Sequence, residues 1–187
     1  MVPPTTMAAP SRSMLVGSGW HPPLFRSEAG SFAEIQDAIH PRIVIVTGIP
    51  DISGASLIDR LLCPFNHSNK RPSPELIASW FNDNYPETDQ TVMVRVHRIG
   101  FIEDENTKVL EREVGALLHN QGRSIDLETP DLTLMIHPCG PATEPMHPES
   151  EYMNEHGWVW GIVGQEGQGG GSFSLRGATD RAYFRPV

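Results

Sequence analysis

Two cysteines, Cys63 and Cys139, are all that 187 residues contain. Two thiols make no disulfide framework, so a reducing cytoplasm is the expected setting. No apolar run approaches the ~20 residues of a membrane span, so no membrane partner is expected. The opening MVPPTTMAAPSRS has one arginine and no apolar centre. That excludes a secretory signal, and residues 1–13 read as a disordered arm. Basic charge is scarce: 14 Lys and Arg stand against 23 Asp and Glu, a net charge of −9. A polyanion would be repelled by most of such a surface, so any anion site must be a local patch. Catalytic signatures are missing too. No G-x-S-x-G elbow occurs, and no glycine-rich turn follows a strand as a cofactor-binding turn would. The GQGGG at residues 167–171 has no helix behind it to receive an anion. No cofactor is therefore expected in this chain.

Hydrophobic residues make up 39% of the chain, enough for a core. Met14–Leu24 reads as a short strand and turn. Phe32, Ile35 and Ile39 fall at helical spacing, which predicts a helix over Ser31–Ile39 that Pro41 ends. Ile43–Val46 is an unbroken β-branched run, a strand buried on both faces. Leu57, Ile58, Leu61 and Leu62 predict a helix over Ser53–Leu62, followed by the polar loop CPFNHSNKRP. Ser73 and Pro74 open a third helix with Leu76, Ile77, Trp80 and Phe81 inward. A boundary is expected near Tyr85–Gln90. Beyond it, Val92, Val94 and Val96 alternate with Met93, Arg95 and His97 on a strand. Asn106 or Thr107 starts a helix with Leu110, Val114, Leu117 and Leu118 as its stripe, and Gly122 suits its C-terminal cap. Leu132, Leu134 and Ile136 mark one strand face; Trp158, Trp160 and Ile162 mark another. The Pro-rich stretch 137–156 between them reads as an excursion from the sheet.

Arg95, His97 and Arg98 lie in or just after the strand Thr91–His97, where i and i+2 side chains are about 7 Å apart, a pitch suited to successive phosphates. A solvated face, or pairing with Glu103, Asp104 and Glu105, explains them equally. Lys108 near a helix start and Arg123 after Gly122 are further candidates. Arg112 between Glu111 and Glu113 reads as an ordinary surface residue, and Asp126 and Asp131 as turn residues around Pro130. Arg176, Arg181 and Arg185, interleaved with Phe173, Tyr183 and Phe184, fit either RNA stacking or docking on a further domain. Cys63 with His67, and His137 with Cys139, have spacings that permit a zinc site without demanding one.

VRVHRIG (Val94–Gly100), LEREVG (Leu110–Gly115), IDLETPDL (Ile125–Leu132), GWVWGIV (Gly157–Val163) and ATDRAYFRP (Ala178–Pro186) follow one another in a specific order. In that order, segment 91–187 resembles a THUMP domain and its connector. More narrowly, it resembles the N-terminal half of archaeal-type tRNA (guanine10-N2)-methyltransferases. Gly17–Ala29 is similar to that family's opening, with Trp20 where an acidic residue is usual. The resemblance implies an α+β fold: a ferredoxin-like subdomain over 14–88, a THUMP-like α/β domain over 89–166, and a connector over 167–187. It implies a module that holds the tRNA acceptor end for base modification, through Arg95, His97, Arg98, Lys108, Arg123, Arg176, Arg181 and Arg185. In the family, S-adenosylmethionine is held by a separate domain with a D/N-P-P-F/Y/W loop. The HPP at His21–Pro23 lacks both the acidic or amide residue and the aromatic. This chain alone is therefore expected not to transfer a methyl group. The alternatives are a free-standing adaptor that delivers tRNA to a separate modification enzyme, and a protein-interaction domain without an RNA role.

Overall fold

The structure, a computed structural model, describes residues 11–17, 22–100, 106–140 and 157–169. Residues 1–10 of the expected arm lie outside these residues, and Arg12 and Ser13, read as arm, begin a strand. Most of the Pro-rich excursion and the arginines of the connector lie outside them too.

The fold is α+β; the described residues form eight strands in one mixed sheet and the helices α1, α2 and α3 named below. The first half contains β1 (Arg12–Gly17), α1 (Pro22–Phe32), β2 (Ile35–His40), β3 (Ile43–Thr47) and β4 (Ile58–Ser68). After α2 (Pro74–Asn84) come β5 (Thr91–Val96), α3 (Thr107–Asn120), β6 (Ser124–Ile125), β7 (Leu132–Cys139) and β8 (Gly157–Glu166). The strand order is β2-β3-β1-β4-β8-β7-β5-β6. The first four strands are mutually antiparallel, with β1 and β3 in the centre. A ferredoxin-like β-α-β-β-α-β unit carries a helix between its last two strands; here residues 48–57 take that place. The long antiparallel β4–β8 pairing carries the sheet from the first half into the second.

Two elements differ from the sequence expectations. The helix expected over Ser31–Ile39 is strand β2, and the helix lies earlier, at α1. Pro22 and Pro23 open α1 with their preset φ, and Phe25 and Ala29, one turn apart, supply its buried face. The Ile35–Ile39 spacing imitates a helix because β2 changes register twice; Ile35 packs on one side of the sheet and Ile39 on the other. The helix expected over Ser53–Leu62 is the loop before β4 and the start of that strand. Leu61 and Leu62 are both fully buried, on opposite faces. A strand buried on both faces shows the consecutive apolar residues that a helix stripe also shows. Cys63 to Ser68, read as polar loop, continue β4. The strands β3, β5, β7 and β8 and the helices α2 and α3 lie where the sequence places them.

All three helices sit on one side of the sheet. α1 covers Leu15, Val44, Val46, Ile58 and Leu61. α2 and α3 cover Val92, Val94, Val96, Leu134, Ile136, Trp158, Trp160 and Ile162. On the other side Met14, Val16, Ile39, Ile43, Ile45 and Leu62 meet Ile99, Met135, Cys139 and Val159, with no helix among the described residues between them. Residues of β2 and β7, five places apart in strand order, share this core. The sheet is therefore curled, its two halves facing each other over a sheet-on-sheet layer. In β4 the register with β8 shifts between Leu61 and Leu62 and again between Leu62 and Phe65, a bulge in the pairing. Gly161 on β8 lies against that bulge; a Cβ there would come within 2.6 Å of the Pro64 carbonyl oxygen. Each fully buried Leu, Ile, Val or Phe stabilises the fold by roughly 1.5–3 kcal/mol, so the three layers carry most of the stability.

Both predicted caps of α3 are present. Asn106 accepts from the N–H groups of Lys108 and Val109, and Gly122 has φ +94°, where a side chain would be strained. Asn106→Ala is expected to cost about 1 kcal/mol, read as a shift of the urea midpoint at constant m value. An unchanged midpoint would mean that α3 is set by packing alone.

Candidate nucleic-acid interface

β5 divides its side chains as its alternation requires. Val92, Val94 and Val96 face the helices; Met93, Arg95 and His97 face the other way. Arg95 is 44% exposed, and its Nη1 is 3.6 Å from Glu111 Oε1 on α3. Lys108, 68% exposed, places Nζ 3.3 Å from Glu111 Oε2. One carboxylate thus serves two cations and leaves a net positive point. The Glu111 side chain is largely covered, while both cations keep an open side toward solvent. Arg98 is exposed just past the end of β5 and makes no ion pair among the described residues.

Two candidates behave differently from the expectation. Arg123 is 2% exposed. Its Nε donates to Asn82 Oδ1 at 2.9 Å, Nη1 donates to the Glu87 carbonyl, and its guanidinium carbon lies 4.9 Å from the Phe81 ring centre. Burial presses its pKa downward. It clamps the end of α3 to α2 and the following loop, which removes it from the interface. His97 is half-buried, its ring edge-on to His137 at 6.1 Å. Arg176, Arg181 and Arg185 lie outside the described residues.

Sequence reasoning missed a polar network inside the curled sheet. His137 Nδ1–H donates to the His97 carbonyl at 2.7 Å, which leaves Nε2 bare to accept from Arg60 Nη1 at 3.1 Å. His137 is fully buried, and burial followed by the nearby Arg60 charge holds its pKa well below the usual histidine value. Burial also works against the Arg60 charge, while Asp59 and Glu166 support it. His40 closes the seam: its Nε2–H donates to the Gly140 carbonyl at 3.2 Å, and its Nδ1 accepts from the Arg42 N–H at 3.1 Å. These partners are 77 and 100 residues apart in sequence, so no local pattern announces them.

Among the described residues, no group of three or more His, Cys, Asp or Glu is placed to hold a metal ion. Both His137 nitrogens are already engaged, and the Cys139 thiol, pushed up to about 12 by burial, donates to the His137 carbonyl. No helix among the described residues is long and apolar enough to cross a membrane.

No family model and no curated protein matches the chain. Solved structures with partial likeness exist. A protein from Pyrococcus horikoshii, PH1313, is 12% identical with a TM-score of 0.46, over 84% of this chain and 56% of its own. TrmN from Thermus thermophilus is 19% identical with a TM-score of 0.47, over 83% and 46%. A 4-thiouridine synthetase, solved as an RNA complex with bound ATP, is 11% identical with a TM-score of 0.45, over 85% and 43%. The chain spans about half the length of these proteins.

Proposed function

We propose that the chain is a THUMP-like tRNA-binding module that holds the acceptor end of tRNA for base modification, by phosphate contacts at the end of β5 and the start of α3. The observation that carries this reading is the placement of the family-like motifs. VRVHRIG runs from β5 to the exposed Arg98, LEREVG forms the middle of α3, IDLETPDL makes the β6–β7 turn, and GWVWGIV is β8. Arg95, Lys108 and Arg98 are exposed or partly exposed cations at the end of β5 and the start of α3. Methyl transfer, with S-adenosylmethionine as donor, belongs in this reading to a separate domain or enzyme.

The test is a gel-shift titration with total tRNA, intact and trimmed of its 3′ CCA end, at ~50 and ~200 mM salt. Binding that weakens with salt and needs the CCA end is expected. Arg98→Glu is expected to weaken it about 3- to 10-fold and to lower the salt slope by about 1. No binding at the lower salt would sink the reading and leave the protein-interaction alternative.

A further inference from the structure

Pro138 stands inside β7, a strand paired on both sides, with β5 and with β8. Proline has no N–H to give to a ladder, so it is ordinarily confined to sheet edges and bulges. The register says which bond is lost. β5 and β7 run parallel, with Val96 beside Ile136 and Ile99 beside Cys139. In a parallel ladder a bridging residue donates to the residue before its partner and accepts from the residue after it. His97 donates to the Ile136 carbonyl at 2.9 Å, so its own carbonyl faces the place of an N–H at residue 138. Two residues on, Ile99 donates to the Pro138 carbonyl at 2.8 Å and accepts from the Gly140 N–H at 2.7 Å. The ladder is regular on either side of one gap, and the gap is at the His97 carbonyl.

A side chain fills that gap. His137 Nδ1–H, 2.7 Å from the His97 carbonyl, makes the bond that Pro138 cannot. The ring can do so only as the Nδ1–H tautomer, and the Arg60 guanidinium, donating to Nε2 at 3.1 Å, selects that tautomer. The bond falls on the peptide unit that joins His97 to Arg98. Both neighbours of Arg98 are thus fixed: His97 by its N–H and its carbonyl, Ile99 by two ladder bonds and a side chain 1% exposed in the inner layer. Arg98 between them is exposed. A cation carried on a backbone held in this way loses little freedom on meeting an anion; one carried on a peptide free to turn must be ordered first.

We infer that His137, kept in one tautomer by Arg60, is a positioning residue for the RNA contact of Arg98: it stands in for the N–H that Pro138 lacks and so fixes the peptide from which Arg98 leaves the sheet. This rests on the tRNA-binding reading and adds to it the buried device that aims its exposed arginine.

The experiment is fluorescence anisotropy of labelled tRNA, titrated with the full chain and its variants over a salt series. His137→Gln keeps an acceptor for Arg60 but brings no donor to the His97 carbonyl. His137→Asn places its amide near the position of Nδ1 and keeps that donor. His137→Gln is expected to weaken tRNA binding about 3- to 10-fold and to lower the salt slope by about 0.7–0.9, as Arg98→Ala does. The two changes together are expected to weaken binding no more than either alone, because both act on one contact. His137→Asn should recover most of the loss. So should Pro138→Ala added to His137→Gln, since alanine returns the N–H that the ladder lacks. A merely structural role would lower stability in both isosteres and leave the affinity of the folded protein alone. Circular dichroism melts confirm that each variant is folded, and Arg60→Met, expected to lie between wild type and His137→Gln, serves if His137→Gln does not fold. If Arg98→Ala binds poorly while His137→Gln, or Arg60→Met in its place, binds as the wild type does, the inference is overturned and the tRNA reading stands. The same holds if the losses of His137→Gln and Arg98→Ala multiply, since His137 then acts elsewhere. If Arg98→Ala binds as the wild type does, or the wild type binds no tRNA, the β5 site falls and the inference falls with it.

Discussion

Arg123→Ala is expected to lower stability by about 2–4 kcal/mol while leaving the affinity of the folded protein for tRNA within about twofold of wild type. The guanidinium is buried and joins three pieces of chain. It reaches Asn82 on α2, the Glu87 carbonyl in the loop beyond α2, and the face of Phe81. Asn82 in turn donates to Gln121 at the end of α3. Truncation leaves the Glu87 carbonyl and Asn82 Oδ1 without their donor and opens a gap over the buried Phe81. Urea unfolding measures the loss of stability; anisotropy under conditions where the variant stays folded measures binding. Arg123→Lys keeps the charge but not the planar fork, so it should recover part of the stability. A variant of near-wild-type stability that loses tRNA binding as Arg98→Glu does would return Arg123 to the interface.

The same residue shows where sequence reasoning stops. After a helix-ending glycine, an arginine is as apt to reach a phosphate as to turn inward; the choice depends on an acceptor 41 residues earlier. Local signals served well where one face of an element meets the core and the other meets water. Ser73–Pro74 at α2, Asn106 and Gly122 around α3, and the alternation of β5 all fall in that class. They failed in β2, where two register shifts set Ile35 and Ile39 on opposite sides of the sheet, and in β4, where Leu61 and Leu62 are buried on opposite faces. Curling explains the candidate site. It drew His97 inward against His137 and left Arg98, one residue on, outside.

Acidification should open the fold from that inner layer. His40 has a pKa lowered from 6.5 to about 4, first by burial and then by Arg42, against a raising contribution from the Gly140 carbonyl. His137 is shifted the same way by burial, Arg60, His97 and Arg42, with its bond to the His97 carbonyl opposing. A folded-state pKa below the unfolded value means that the unfolded chain binds more protons between the two. Stability is therefore full above about pH 6.5 and falls as the pH drops toward 4. For His40 alone the full fall is about 3 kcal/mol, and His137 adds to it. The exposed Asp51 and Asp126, held below the usual carboxylate range by the N–H groups of Ser53 and of Glu128 and Thr129, titrate beneath this window. The loss between pH 6.5 and 5 is thus expected to belong to the buried histidines. Urea midpoints measured at half-unit steps should decline across that interval. His40→Gln, whose amide can donate to Gly140 and accept from Arg42, should start lower and decline less steeply. Hydrogen exchange should show β2 and the end of β7 losing protection first, since His40 is the tie between them. A midpoint flat from pH 6.5 to 5 in the wild type would mean that the seam is open to water, and that the curled inner layer is not the closed core described here.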